Sequence, residues 1–130
     1  MVDPSLRAHC FCHSAPGKWY NMGVILSAGG AYNWLSETLH LDFETMSKEA
    51  GTVKPGSEGA IFLPYLCGER TPHADSNARG TFFGLALKHT RANMIRACME
   101  GVSFAMRDAL EVVKQMGVKV SEVLITGGGA

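Results

Sequence analysis

The chain has 130 residues, 46% of them hydrophobic, with twelve Lys and Arg balancing twelve Asp and Glu. That length fits one domain with a real core, and a neutral chain without runs of like charge excludes the electrostatic footprint of a nucleic-acid or anionic-membrane partner. No apolar run approaches the roughly 20 residues of a membrane span, no basic-then-apolar leader opens the chain, and four cysteines without a regular framework fit a reducing compartment, so a soluble, cytoplasmic protein is expected.

Residues 1–7 are polar, carry Pro4 and read as a frayed entry to a strand over 9–14 that contains His9-Cys10-Phe11-Cys12-His13. Two histidines and two cysteines in five residues raise the question of a metal. The spacing argues against one, because alternation in a strand puts His9, Phe11 and His13 on one face and Cys10 and Cys12 on the other. The remaining cysteines, Cys67 and Cys98, have no Cys or His two to four positions away to form a second clamp. No metal ligand is expected.

The turn Ala15-Pro16-Gly17-Lys18 and the aromatic, β-branched run that begins at Trp19 predict a β-hairpin. After Ser27 the period changes: Ala31, Trp34, Leu35 and Leu39 predict a helix opening around Ala28-Gly29-Gly30 and ending near His40. A shorter helix is expected over 43–50, closed by Gly51. The Gly- and Pro-rich stretch 51–60 is a loop before the apolar Ile61-Phe62-Leu63.

From Pro64 to Arg79 neither helical nor strand period appears, and a long irregular segment in a compact domain is more often functional than not. Its Glu69, Arg70, His73 and Asp75 are candidates for a general base and an oxyanion or phosphate partner, against the plain alternative of a solvated loop. A long helix is expected next, capped by Thr90, terminated by Gly117, with Ile95, Cys98, Val102, Ala105, Ala109, Val113 and Met116 as its buried stripe. His89 reads as a helix-start residue. Within the helix, Glu100 and Gly101 cost stability, so close packing or a polar partner must account for them. Val123-Leu124-Ile125 reads as a short buried strand running into Gly127-Gly128-Gly129, a place where nucleotide can approach backbone, or a plain turn. Gly29-Gly30 carries the same ambiguity.

Gly80-Thr81-Phe82-Phe83-Gly84-Leu85, together with Asn93-Met94-Ile95-Arg96-Ala97-Cys98-Met99-Glu100, resembles the C-terminal signature of the FGGY family of carbohydrate kinases. The segment from Phe62 to His73 resembles the FLPYLxGERTPH run of the xylulose kinase subgroup, and residues 9–35 resemble a second stretch of it. The resemblance implies an α/β fold, part of an RNase H-like, actin-like ATPase domain with a mixed sheet packed on helices. Residues 1–130 would then be a fragment of the C-terminal nucleotide-binding domain. It implies an enzyme that transfers phosphoryl from ATP, with Mg2+, to D-xylulose, or alternatively to ribulose, gluconate or glycerol. An isolated piece that binds nothing is a further alternative.

By the same resemblance Gly29 and Asn33 match positions lining the nucleotide pocket in glycerol kinases, and Gly128 and Gly129 match the adenosine glycines. The phosphate-binding turn and the catalytic aspartate would lie upstream, so no catalytic residue is assigned to this chain, and alone it is expected to be inactive. The expected partners are small-molecule sugar and ATP, with neither nucleic acid nor membrane, and a bare sheet edge would favour a homodimer. Because thiols and imidazoles alternate across one strand, calorimetric titration with zinc should show no tight stoichiometric binding; one tight zinc per chain would refute the strand argument.

Overall fold

A computed structural model describes residues 3–128. The first element pair is the expected hairpin. Strands β1 (His9–Cys12) and β2 (Trp19–Met22) pair antiparallel with His9 opposite Met22 and Cys12 opposite Trp19. Gly17 supplies the positive φ of the turn. The strand is two residues shorter than its sequence suggests, because the His13 ring accepts the Ala15 N–H at 2.9 Å and so enters the turn. His9 stacks on Phe11 with ring centroids 5.8 Å apart, as residues sharing one face of a strand should.

Helix α1 (Ala28–Leu39) ends on His40 in the left-handed conformation, and α2 (Phe43–Gly51) starts from an Asp42 side chain that accepts the Thr45 N–H at 2.8 Å. After a single 3-10 turn come β3 (Ile61–Leu63) and β4 (Thr81–Phe83), again antiparallel, with Phe62 opposite Phe82. The long helix α3 (Arg91–Gln115) starts where Asn93 Oδ1 accepts the Thr90 N–H at 2.9 Å and its hydroxyl at 3.1 Å. The α/β class stands; the two named sheets are both antiparallel pairs rather than one mixed sheet.

The core forms where α3 crosses β3, α1 and α2. Ala31 and Leu35, Met46 and Ala50, Phe62, and Ile95 and Cys98 meet there fully buried. Burial pushes the Cys98 thiol up to about 12, which leaves it a packing group without thiolate chemistry. The stripe along α3 follows the predicted spacing except near its end, where Val112 rather than Val113 is buried. The two costly residues of α3 are both accounted for. Glu100 accepts the Gly56 N–H at 3.0 Å and the Arg96 Nε–H at 2.7 Å. Gly101 lies so close to β3 that an added Cβ would sit 2.1 Å from the Phe62 carbonyl oxygen.

One expected element is absent. Val123, Leu124 and Ile125 form no strand and are 63%, 82% and 71% exposed. A strand exists only through its hydrogen-bonded neighbour, and none of the described residues offers these three a ladder. Gly101→Ala should lower unfolding stability by about 1–3 kcal/mol, because backbone must shift to admit the methyl group. Gly51→Ala, whose Cβ meets nothing within 4 Å, should be neutral or stabilise by up to about 1 kcal/mol. Denaturant melts of the two variants test the pair.

Candidate functional site

Two neighbouring features carry polar groups in an arrangement that packing alone does not explain. The first is the N-terminus of α1. Ser27 occupies the N-cap, but its backbone is helical rather than extended (φ −110°, ψ −24°) and its side chain does not cap the helix. Its hydroxyl is buried without a hydrogen-bond partner. Ala31 is the first residue of α1 to donate a backbone hydrogen bond, to the Ser27 carbonyl at 2.7 Å. Among the described residues the N–H groups of Ala28, Gly29 and Gly30 have no acceptor.

A Cβ added at Gly29 or Gly30 would meet nothing within 4 Å, so this turn is open as well as unsatisfied. Free amides and the positive end of the helix dipole together favour an anion here. Asn33, one turn on, shares the exposed side of α1 with Gly29 and donates from Nδ2 to Glu37 Oε1 at 2.7 Å. Gly128 is exposed with open space around it, and no hydrogen bond among the described residues joins it to α1. Gly129 lies outside the described residues.

The second feature is the GERT part of the irregular segment. Glu69 and Thr71 are 2% and 0% exposed, whereas Arg70, His73 and Asp75 lie on the surface. The solvated-loop alternative therefore fits those three and fails for Glu69. Glu69 Oε1 accepts the Leu26 N–H at 3.2 Å and the Arg70 N–H at 2.8 Å, while Oε2 is buried without a partner. Thr71 exchanges bonds with Val24: its N–H donates to the Val24 carbonyl, and its hydroxyl oxygen accepts the Val24 N–H, each at 3.0 Å. The same hydroxyl donates to the Arg7 carbonyl at 2.5 Å.

The remaining candidates of this segment each have partners of their own. The Tyr65 hydroxyl and His73 Nε2 are 3.0 Å apart. Burial first, and then the charges of Asp108 and Glu69, raise the Tyr65 hydroxyl above its ordinary value, so it remains protonated across the physiological range. Arg70 approaches His9 at 3.4 Å. Asp75 exchanges two backbone bonds with Glu69 and accepts the Asn77 N–H. Leu26, Arg7, His9, Glu69 and Arg70 line an open cleft of about 440 Å³. His89 behaves as a helix-start residue: its Nδ1 accepts the Ala86 N–H, and its Nε2 lies 3.3 Å from the Glu58 carbonyl. No group of three His, Cys, Asp or Glu side chains among the described residues could hold a metal ion, and no helix among them is long and apolar enough to cross a membrane.

Sequence reasoning missed Ser27 and Thr71. The alternation Glu69-x-Thr71 beside Val24-x-Leu26 was the available signal for Thr71; nothing in the sequence marks Ser27 as a buried cap without a bond.

The fold is that of the actin-like ATPase class, as its solved-structure neighbours among the FGGY kinases show. Residues 2–130 match the C-terminal domain of the FGGY carbohydrate kinases. A xylulose kinase of Lactococcus lactis is 43% identical over 133 residues, covering 100% of this chain and 26% of the relative. A gluconokinase of Bacillus subtilis is 33% identical over 138 residues, covering 95% of this chain and 27% of the relative. The crystal structure of xylulose kinase from Bifidobacterium adolescentis superposes with a TM-score of 0.86 at 31% identity, covering 95% of this chain and 24% of that one. The chain belongs to the FGGY family of carbohydrate kinases. It spans about a quarter of the length of the curated relatives it matches.

Asp3 anchors the start of this site. Its carboxylate accepts the Arg7 backbone N–H at 2.7 Å and the Arg7 Nε–H at 3.2 Å, and Arg7 reaches Gln115 at the end of α3. The Arg7 side chain, first of all, holds Asp3 below the ordinary aspartate value of 3.8. A carboxylate whose folded pKa lies below its unfolded one stabilises the fold above the unfolded value, and that contribution disappears as pH falls through the depressed folded value. Acid melts should therefore show a loss of stability below about pH 4 that Asp3→Asn flattens.

Proposed function

We propose that the chain is part of the C-terminal nucleotide-binding domain of an ATP-dependent sugar kinase that phosphorylates D-xylulose. The observation that carries this reading is the first turn of α1: three unaccepted N–H groups, a buried unpartnered Ser27 hydroxyl and two glycines with clear space. Such a turn is chemically suited to a nucleotide phosphate or ribose. Gly29 and Asn33 would line the pocket from α1, with Gly128 and Gly129 on its adenosine side. Support for the sugar comes from the similarity to xylulose kinases, which exceeds the similarity to the gluconokinase. Gluconate is the second reading, resting on that more distant relative.

Phosphoryl transfer asks the protein mainly to position reactants and neutralise charge, and a base must accept the acceptor hydroxyl's proton. None of the buried acids of this chain is assigned that base; Glu69 has one oxygen committed to two backbone amides. Mg2+ would arrive with the triphosphate. The remaining machinery belongs to the rest of the enzyme, so residues 1–130 alone are proposed to bind nucleotide without catalysis. A cytoplasmic place and a role in xylose use follow from the same reading.

A kinase assay of the complete enzyme with MgATP against xylulose, ribulose, gluconate and glycerol tests the substrate; preference for another sugar would replace xylulose. Titration of this chain with ADP tests the nucleotide site. Gly29→Val should weaken binding about tenfold or more, worth at least about 1.4 kcal/mol, with helical circular dichroism unchanged. Equal affinity of the two forms would remove Gly29 from the site.

A further inference from the structure

Val24–Leu26 runs directly into α1, and its partner is an unusual one. Thr71 lies opposite Val24 and Glu69 opposite Leu26, the register of an antiparallel pair, yet two of the three hydrogen bonds between them are accepted by side chains. The reason is visible at Glu69. Its main-chain N–H and carbonyl both bond Asp75, at 2.8 and 2.9 Å, so the backbone is turned toward Asp75 rather than Leu26. The carboxylate supplies the missing acceptor. Without it the Leu26 N–H would lose its partner beside a buried residue.

The first turn of α1 needs this tether. Ala31 and Leu35 seat the helix in the core, but Gly29 and Gly30 have no side chains to anchor them, and a Cβ at either would face open space. Besides the helix's own bonds, such as Ala31 N–H to the Ser27 carbonyl, what positions the first turn is the segment that feeds it, which ends three residues upstream of Gly29. Thr71 extends the same tether to Arg7 through its hydroxyl.

We propose that Glu69 and Thr71 are positioning residues for nucleotide: their side-chain oxygens hold Val24–Leu26 in the place that presents Gly29 and the free amides of α1. This rests on the reading of α1 as a nucleotide site. The role of Glu69 is that of a hydrogen-bond acceptor and does not require its charge, and that of Thr71 requires only its hydroxyl. Glutamine at 69 keeps a carbonyl oxygen for Leu26 and Arg70, and serine at 71 keeps the hydroxyl. Alanine and valine at these positions keep neither.

The test uses the complete kinase that contains these residues, with steady-state kinetics and amide hydrogen exchange on the same preparations. Glu69→Ala and Thr71→Val should raise KM for MgATP about tenfold while changing KM for the sugar less than about twofold, the pattern of a lost binding geometry at one substrate. Exchange at the hydrogen-bonded amides of Val24, Leu26 and Ala31 should quicken in both. Glu69→Gln and Thr71→Ser should return both readouts to within about threefold of the parent. A Glu69→Gln enzyme with kcat reduced 100-fold or more would make the carboxylate part of the chemistry and overturn the positioning role. So would faster exchange with an unchanged KM for MgATP in an enzyme where Gly29→Val does raise it. If Gly29→Val also leaves KM for MgATP unchanged, the nucleotide reading of α1 fails, and exchange at Leu26 then reports on the tether alone. Should Glu69→Ala fail to fold, Thr71→Val against Thr71→Ser makes the same comparison.

Discussion

The close approach of α3 to β3 sets the geometry of the domain. At Gly101 the helix passes within contact distance of the Phe62 backbone, a separation no side-chain-bearing residue could keep. That approach brings Ile95 and Cys98 down onto Phe62, and Phe62 in turn stacks against Trp34 of α1 and packs at a tilt against Phe82 of β4. A glycine in mid-helix weakens the helix by about 1 kcal/mol relative to alanine, and the loss is offset by burying a shared aromatic and aliphatic cluster. Glu100, one residue earlier, takes the Gly56 amide, so a single turn of α3 contacts both β3 and the loop that precedes it. Helices α1 and α2 then have only one place to bury Leu35 and Met46.

A second constraint is the accounting of backbone donors around Val24–Leu26. In an ordinary sheet a neighbouring strand would take them through carbonyls. Here the GERT segment turns back on itself through Asp75, which holds the Glu69 backbone, and only the Thr71 N–H reaches Val24 from the main chain. Side-chain oxygens of Glu69 and Thr71 fill the gap, which explains why two polar residues are buried in a stretch with no regular secondary structure. A buried oxygen without a partner, Glu69 Oε2, is the cost of that arrangement. The same accounting leaves the opposite surplus at the head of α1, where donors remain and acceptors are missing. The free donors of Ala28, Gly29 and Gly30 lie two to four residues beyond Leu26, whose amide the Glu69 carboxylate accepts, so the tether and the open helix end adjoin along the chain.

Much of the fold could be read from the residues because the signals were local. The 3.6-residue period of α3, its Thr90 cap and the Pro-Gly turn each depend on a few neighbouring side chains, and all appear close to where they were expected, whereas the Asp42 cap of α2 and the left-handed His40 after α1 emerged only in the structure. The cost of Glu100 and Gly101 in a helix pointed correctly to a partner and a close contact, since a local penalty that persists implies a tertiary gain. Gly29 and Asn33 were drawn from family resemblance, and their shared helix face follows from four-residue spacing.

What the tertiary structure decided was pairing. Val123–Ile125 has the composition of a buried strand, but composition cannot provide a neighbour, and without a ladder the three residues stand exposed. Between Ala109 and Met116 both Val112 and Val113 fit the three-to-four-residue step, and it is Val112 that packs with Ala8, a long-range contact that periodicity does not reveal. Residues 64–79 show no period, so their reading as a loop was right in its backbone and silent on its interior. Glu69 and Thr71 became buried acceptors only when residues more than forty positions away in the chain came to lie beside them. Sequence determines what each residue can donate, accept or bury; three-dimensional proximity alone determines with whom.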